Sequence, residues 1–165
     1  MVFKKIFGLG NPEAQYVKTR HNAGYMFIDS LDENKAFIKA GPSMNVCGTH
    51  VVAETGNNPV SGILIVLDDF NIPLGEARYS PGGSDGGHNG LKSIIAAFNT
   101  DQIPRLRIGI GPPPYSREEI ISFVLGDFSE EELKKVHEVI SVCKKWLTDE
   151  TNLEAFRSKC VPCKI

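Results

Sequence analysis

A run of five consecutive apolar residues, Ile63–Leu67, constrains the fold more than any other part of this 165-residue sequence. A strand with apolar side chains on both faces is typical of the centre of a parallel sheet that lies between helices. The pair Asp68 and Asp69 follows the run directly, at the strand end where open α/β sheets place their chemistry. The run therefore predicts an α/β protein with polar groups at the end of its central strand.

Shorter patterns predict the elements around this strand. Apolar, β-branched and aromatic residues predict further strands at residues 2–9, 36–40 and 106–110. Apolar residues at helical spacing predict helices at residues 23–31, 46–54, 91–98 and 129–147, the last of which begins with a Ser-x-x-Glu capping box. Strands that alternate with helices favour a three-layer α/β sandwich with a twisted, mixed, mostly parallel sheet. Because no break in composition marks a boundary, we expect a single domain over residues 1–158 and a loose tail over residues 159–165.

Composition limits where such a chain works and what it binds. The longest apolar run, residues 62–67, is far shorter than the roughly 20 residues that span a bilayer, and two lysines interrupt the N-terminal segment where a signal peptide is apolar. We therefore expect a cytoplasmic protein with no membrane partner and with reduced cysteines. The net charge of −2, from 18 basic and 20 acidic residues, argues against a nucleic-acid partner, because phosphate binding draws on clustered Lys and Arg.

Two glycine segments are candidates for ligand binding. Gly8 and Gly10 follow the first predicted strand, but a dinucleotide fingerprint needs a third glycine that opens a helix, and Glu13 stands there. Residues 82–90 are rich in glycine and lead through a His-Asn pair at 88–89 into a predicted helix. Such a density of glycine favours close approach of the backbone to a ligand, and helix N-termini attract anions. A binding loop is thus favoured over a flexible surface loop.

The sequence predicts no metal site. Asp68 and Asp69 have only Asn71 nearby as a further oxygen ligand. Cys160 and Cys163 form a Cys-x-x-Cys pair, but the second pair of ligands that a structural zinc ion needs is missing. We therefore expect neither a metal ion nor a cofactor.

Seven features, taken together and in order, resemble the bacterial-type peptidyl-tRNA hydrolases. They are Gly8–Pro12, Tyr16, Thr19–Gly24, Met44–Gly48, Asp68, Gly86–Lys92 and Arg105–Gly111. None is decisive alone, since a lone histidine such as His21 at a helix start is ordinarily a surface residue. The His-Asn-Gly loop and the Thr-Arg-His-Asn segment together make the resemblance specific, and it extends from about residue 5 to about residue 156.

The resemblance implies hydrolysis of the ester that joins the C-terminal carboxyl of a peptide to the 3′-terminal ribose of tRNA, by a monomer. It also implies that His21 is the general base that activates water and that Asp68 orients it. The chemistry fits, because an imidazole with an ordinary pKa of about 6.5 takes a proton from water at neutral pH, and a carboxylate fixes its tautomer. The amides implied to hold the peptide backbone and the tRNA end are those of Asn11, Asn45 and Asn89. The residues implied to contact tRNA are Tyr16, Lys92, Arg105 and Arg107.

The sequence departs from the family pattern mainly in the parts that face RNA. The segment between the first helix and Met44 is shorter than the resemblance leads us to expect, Cys47 stands for a serine, and Ser80 stands where a phosphate-binding lysine is often found. Two alternatives therefore stay open: a non-catalytic RNA- or protein-binding relative of the same fold, and a hydrolase of another ester or amide. With few phosphate contacts, tRNA binding is expected to be weak and its salt dependence shallow.

Overall fold

A six-stranded sheet forms the centre of the protein, which the computed structural model describes over residues 3–32, 34–112, 116–148 and 160–162. In chain order the strands are β1 (Lys5–Gly8), β2 (Phe37–Lys39), β3 (Ile63–Pro73), β4 (Glu76–Ser80), β5 (Arg105–Gly111) and β6 (Cys160–Pro162). Across the sheet they are ordered β2-β1-β3-β5-β4-β6. The strands β2, β1, β3 and β5 are parallel to one another, whereas β4 is antiparallel to both β5 and β6. The predicted mixed, mostly parallel sheet is confirmed.

Helices cover both faces of this sheet. They are α1 (Ala23–Asp29), α2 (Cys47–Thr55), α3 (Asn89–Phe98), α4 (Arg117–Leu125) and α5 (Glu130–Thr148). The buried residues of α1 and α5 join one apolar cluster with the sheet, and those of α2 and α3 join a second cluster. The three-layer sandwich expected from the sequence is therefore the observed architecture. Within the described ranges, the helices are all too short or too polar to cross a bilayer.

The apolar run that constrains the fold is buried from both sides. Leu64 and Val66 of β3 belong to the cluster that includes α1 and α5, whereas Ile63, Ile65 and Leu67 belong to the cluster that includes α2 and α3. All five side chains are fully buried. Burial of each such side chain contributes about 1.5–3 kcal/mol, so β3 stabilises both layers. The strand lies inside the sheet, between β1 and β5.

Two facing glycines bring α1 directly onto β1. A Cβ atom on Gly8 would collide with the backbone oxygen of Gly24, and a Cβ atom on Gly24 would collide with the backbones of Val66 and Leu9. This close approach fixes the N-terminus of α1 over the carboxyl end of β1. The turn that precedes α1 carries His21, so the two glycines help to determine where that side chain lies.

The central strand is longer than the sequence predicts. The prediction ends it at Leu67, but β3 continues to Pro73, and Asp68 is therefore a strand residue rather than a residue that follows the strand. Its neighbour β1 ends at Gly8, which pairs with Val66. Asp68 thus lies beyond the end of one adjacent strand, and its position at the carboxyl edge of the sheet is retained although the predicted boundary is wrong.

Two short strands lie outside the predicted set. β4 has five residues and β6 has three, and only β6 is shorter than the four residues over which alternation identifies a strand. β6 pairs with β4 through residues 160–162, which lie in the tail expected to be loose. That expectation is corrected for these three residues, while Cys163 lies outside the described residues.

Candidate active site

His21 and Asp68 form the centre of the candidate active site. His21 lies in the 3-10 turn Arg20–Asn22 before α1, and Asp68 lies in β3. Nδ1 of His21 is 3.0 Å and 2.9 Å from the two carboxylate oxygens of Asp68. The side chains are 13% and 2% exposed, respectively. Because Asp68 accepts, Nδ1 of His21 carries the proton, and Nε2 is left with the free lone pair.

A second histidine, His88, completes a three-residue network. Its Nε2 lies 3.1 Å from Oδ1 of Asp68. Its Nδ1 accepts a hydrogen bond from the backbone N–H of Leu91 at 3.3 Å, so that His88 is also the N-cap of α3. Because Nδ1 is an acceptor, Nε2 carries the proton and donates it to Asp68. The two imidazole rings lie 4.7 Å apart between centroids, and one buried carboxylate therefore accepts from both.

This network keeps Asp68 ionised and makes His21 a stronger base. Burial alone would raise the pKa of Asp68, but the charges and hydrogen bonds of His21 and His88 outweigh it and hold that pKa well below its ordinary range. Burial alone would lower the pKa of His21, but the charge of Asp68 and the hydrogen bond to it raise that pKa above its ordinary value. Above this raised pKa, His21 is neutral and able to accept a proton.

The network opens into a pocket of about 350 Å³. One side of the pocket is polar and the other is an apolar wall supplied by Ile120, Ile121 and Val124 of α4. The full lining consists of His21, Asp68, Asp69, Phe70, Gly86, Gly87, His88, Asn89, Arg107, Ile120, Ile121 and Val124. A basic nitrogen in a partly apolar pocket is suited to attack by an activated water on a bound ester.

Asn11 lines a second pocket, of about 480 Å³, together with Asn22, the residue after His21. Asn22 is buried and holds the backbone of Asn11 with both ends of its amide, at 2.8 Å to the N–H and 2.9 Å to the carbonyl oxygen. Oδ1 of Asn11 accepts from the backbone N–H of Met44 at 3.3 Å. Within the described ranges nothing pairs with Nδ2 of Asn11, which is free to donate to a ligand oxygen.

The remaining predicted contacts are spread more widely. Asn89, the first residue of α3, lines the pocket that contains His21, whereas Asn45, Tyr16 and Lys92 line neither of the two pockets. Asn45 and Lys92 are exposed and Tyr16 is half-buried. Their roles stay predictions.

Arg105 is not available to a phosphate. Its side chain is fully buried, and its guanidinium donates to the carbonyl oxygens of Ile103, Gly83, Ser84 and Asp101 at 2.6–3.0 Å. Arg105 therefore supports the glycine-rich loop from inside the protein. This placement corrects the prediction that it contacts tRNA.

Arg107 lies in the pocket but is already paired. It donates to Oδ2 of Asp69 at 3.0 Å and to the carbonyl oxygen of Ser84 at 2.8 Å, and its side chain is 11% exposed. Its positive charge thus lies in the same pocket as His21 and Asp68 and is partly neutralised by Asp69. A role in phosphate binding stays a prediction for this residue.

The three network residues are also a possible set of metal ligands. Their ligand atoms lie within 4.8 Å of one another, with His21, Asp68 and His88 each offering one. Direct hydrogen bonds between the same atoms already satisfy them. Hydrogen bonding among the three side chains therefore accounts for their arrangement.

Sequence reasoning missed His88, Asn22 and the apolar wall. The available signal for His88 was its place just before a helix. Ser, Thr, Asp and Asn are the usual N-cap residues, so a histidine there is uncommon. Asn22 lies in a segment quoted for the resemblance, but only tertiary structure shows that it fixes Asn11. The three α4 residues carry no signal, because apolar residues at that spacing are typical of an ordinary packed helix.

Comparison with known sequences gives a consistent result over nearly the whole chain. A family model described as peptidyl-tRNA hydrolase matches residues 5–40 and residues 32–159. The two matches overlap between residues 32 and 40, within the segment that the sequence predicts to be shortened. A peptidyl-tRNA hydrolase of Methylacidiphilum infernorum is 39% identical over 161 residues, covering 84% of this chain and 86% of that protein.

Two further relatives cover almost all of the chain. A peptidyl-tRNA hydrolase of Nostoc is 35% identical over 199 aligned residues, which include 100% of this chain and 98% of that protein. The crystal structure of peptidyl-tRNA hydrolase from Acinetobacter baumannii superposes with a TM-score of 0.80 at 29% identity, covering 93% of this chain and 92% of that one.

Proposed function

This chain belongs to the peptidyl-tRNA hydrolase family, and we propose that it releases tRNA from peptidyl-tRNA with His21 as the base that activates the attacking water. The reaction is hydrolysis of the ester between the C-terminal carboxyl of a peptide and a ribose hydroxyl of tRNA. The observation that supports the role of His21 is the geometry of its ring. Nδ1 donates a hydrogen bond to the buried carboxylate of Asp68. Nε2 therefore carries no proton, and His21 lines an open pocket.

The proposed step conserves atoms and charge. Nε2 of His21 takes one proton from water while the water oxygen attacks the ester carbonyl carbon, which forms a tetrahedral intermediate and an imidazolium. Asp68 stabilises the imidazolium, because its carboxylate is ionised and lies 2.9 Å from Nδ1. When the intermediate collapses, the C–O bond to ribose breaks and the imidazolium returns the proton to the leaving ribose oxygen. Peptide acid and tRNA are the products.

His88 keeps Asp68 in its role without touching the reacting atoms. By donating to Oδ1, it satisfies a buried acceptor whose desolvation would otherwise be costly. The same bond orients the carboxylate toward His21. Asn89, which lines the pocket beside it, supplies an amide donor for the peptide carbonyl or the tRNA end.

Asn11 is the proposed reader of the peptide. A neutral amide bonds a peptide carbonyl without regard to side chains. An aminoacyl-tRNA lacks that carbonyl and carries an ammonium instead, so the donor of Asn11 is left unpaired, which costs binding energy. Asn22 fixes the backbone of Asn11 and the backbone N–H of Met44 bonds to its side-chain oxygen, so the position of the amide is set before substrate binds.

The setting of the reaction is proposed along with its chemistry. Because peptidyl-tRNA arises in translation, the enzyme is expected to work in the cytoplasm, and we expect it to act as a monomer.

The first experiment measures release of peptide from N-acetyl-aminoacyl-tRNA by the purified protein. His21→Ala is expected to lower kcat by about 10²–10⁴-fold, the usual contribution of a general base. His137→Ala is the matched control, since His137 is an exposed histidine of α5 far from this network, and its rate is expected to be unchanged. Equal rates for wild type and His21→Ala would remove His21 from catalysis, and no hydrolysis by the wild type would favour the non-catalytic alternative.

The second experiment compares N-acetyl-aminoacyl-tRNA with unblocked aminoacyl-tRNA for Asn11→Ala. The preference for the blocked ester is expected to fall by about tenfold or more, as when a hydrogen bond to substrate is lost. Asn57→Ala, at an exposed asparagine after α2, serves as the control. An unchanged preference would show that another group reads the peptide.

A further inference from the structure

Arg20 stands beside the catalytic histidine but points away from it, into the junction between α4 and α5. Its Nη2 donates to both carboxylate oxygens of Glu132, at 3.1 Å and 2.9 Å, and its Nη1 donates to the carbonyl oxygen of Phe123 at 3.3 Å. The guanidinium carbon lies 4.5 Å from the ring centre of Phe123 and 5.5 Å from that of Phe128. One side chain therefore contacts the end of α4, the connection after it and the first turn of α5.

Backbone hydrogen bonds join the same segments. The N–H of Arg20 donates to the carbonyl oxygen of Gly126 at 3.0 Å, and the N–H of Phe128 donates to that of Lys18 at 2.9 Å. Thr19 forms an isolated antiparallel bridge with Asp127. The chain that carries His21 and the connection between α4 and α5 are thus paired like two short strands, and the Arg20 side chain closes one end of that pairing.

Glu132 is held ready for this contact by its own helix. Its Oε2 accepts from the backbone N–H of Ser129 at 2.7 Å, and its backbone N–H donates to Oγ of Ser129 at 3.2 Å, which forms a capping box at the start of α5. Burial alone would raise the pKa of Glu132, but the bonds from Ser129 and Arg20 and the charge of Arg20 lower it. The carboxylate is therefore ionised at neutral pH, and Ser129 fixes its position independently of Arg20.

The position of α4 matters because this helix supplies the apolar wall of the pocket. Ile120, Ile121 and Val124 line the same pocket as His21, and Phe123 of the same helix contacts Arg20. A shift of α4 relative to the turn Arg20–Asn22 would therefore change the distance between the wall and the imidazole. Displacements of about 1 Å cost up to about 10²-fold in rate when they misplace a bound substrate.

From this geometry we propose that Arg20 is a positioning residue, which together with Glu132 clamps the apolar wall of the pocket at the working distance from His21. The inference rests on the proposed hydrolysis of peptidyl-tRNA. Arg is suited to the task because two different nitrogens of its guanidinium donate to Glu132 and to Phe123, while its planar face stacks on aromatic rings. Lysine keeps the charge but lacks both features.

The test compares Arg20→Met, Arg20→Lys and Glu132→Gln for kcat and KM on N-acetyl-aminoacyl-tRNA at a temperature where each variant is folded by its circular dichroism. Arg20→Met is expected to lower kcat/KM by about 30–100-fold, mostly through kcat, and Arg20→Lys to restore part of the loss. Glu132→Gln is expected to lower it by about 3–10-fold, since a glutamine still completes the capping box but the ion pair becomes a neutral bond.

A matched control exists on the neighbouring helix. Glu119 completes an equivalent capping box with Ser116 at the start of α4 but does not contact Arg20. Glu119→Gln is therefore expected to leave kcat/KM within about twofold of wild type, as for other exposed surface changes. The double variant Arg20→Lys/Glu132→Gln is expected to lose less than the product of the single losses, because both act on one contact.

Three outcomes separate the clamp from a purely structural role and from failure of the proposed function. Arg20 does not touch Asp68, so the acid limb of the kcat profile is expected to stay at the wild-type pH in all these variants. A lowered melting temperature with unchanged kcat/KM in Arg20→Met and Glu132→Gln would overturn the clamp and leave a structural ion pair. Absence of hydrolysis by the wild type would instead overturn the proposed function itself.

Discussion

The buried network and the outer charged groups of the same pocket are organised in opposite ways. In the network of His21, Asp68 and His88, every short contact joins fixed groups on a strand, a turn before a helix and a helix cap. In the outer part of the pocket, Arg107 is paired with Asp69, while Lys92 is exposed on α3 outside this pocket. The side chains of the network are fixed by buried hydrogen bonds, whereas the charges of the outer part are already paired or lie in solvent.

The two regions are therefore expected to contribute unequally to activity. A preorganised network in low dielectric acts strongly and with little reorganisation, so small changes in it are expected to be costly. Groups that are exposed or already neutralised contribute weakly and are screened by salt. The substitutions below test that contrast, beginning with the network.

Asp68→Asn is expected to have the largest effect of these substitutions. The amide cannot stabilise an imidazolium and does not fix the Nδ1–H tautomer of His21, so kcat is expected to fall by about 10²–10⁴-fold. The same change removes the charge that raises the pKa of His21 and leaves the burial that lowers it. Activity requires neutral His21 and is lost as pH falls through its pKa, so the acid limb of the kcat profile is expected to move to lower pH.

The direction of this pH shift is the critical part of the measurement. A general loss of structure would lower kcat at every pH without moving the limb. A limb that stays in place, or moves to higher pH, in a folded Asp68→Asn protein would contradict the assignment of His21 as the base.

His88→Asn is expected to have an intermediate effect. Asparagine is a good helix N-cap, so this variant retains the cap of α3 and loses chiefly the hydrogen bond to Asp68. We expect kcat to fall by about tenfold, because a hydrogen bond to a charged group contributes about 1.5–3 kcal/mol and Asp68 retains its bond to His21. His88→Ala loses the cap as well, and its free energy of unfolding is expected to fall by a further 1 kcal/mol or so.

Kinetics and urea unfolding of the two His88 variants separate the cap from the catalytic contact. If His88→Asn and His88→Ala show the same stability and both retain wild-type kcat, the contact between His88 and Asp68 is incidental to catalysis.

The sequence predicts the layers of the fold because they depend on simple patterns. Ile63–Leu67 has apolar residues on both faces, and the stripe of α5 has helical spacing, so burial of each could be inferred without tertiary contacts. β4 and β6 are short elements, with β6 at the edge of the sheet and β4 beside it, and their pairing depends on partners distant in sequence.

The residues of the candidate site differ in how far the sequence predicts their surroundings. His21 and Asp68 follow from a resemblance that spans the chain, and the structure places them in contact. Arg105 and Arg107 lie two residues apart on β5 and therefore on the same face of the strand, but how far each is buried depends on the glycine-rich loop that folds over both. The sequence does not show whether carbonyl oxygens or water surround an arginine, so it predicts a phosphate contact equally for both residues.

Asp69→Asn is expected to have the smallest effect and to act in the opposite direction. Asparagine retains the oxygen that accepts from the backbone N–H of Asn71 but no longer neutralises Arg107. Arg107 is then freer to bind a phosphate, so KM for tRNA substrates is expected to fall by about two- to threefold at low salt, and the slope of log affinity against log salt to steepen by up to about 1. Asp32→Asn, which removes an equal charge at an exposed position outside the pocket, is the control for the change in net charge. Equal salt slopes for the two variants would mean that Arg107 does not meet phosphate, and that the outer region contributes only general electrostatics.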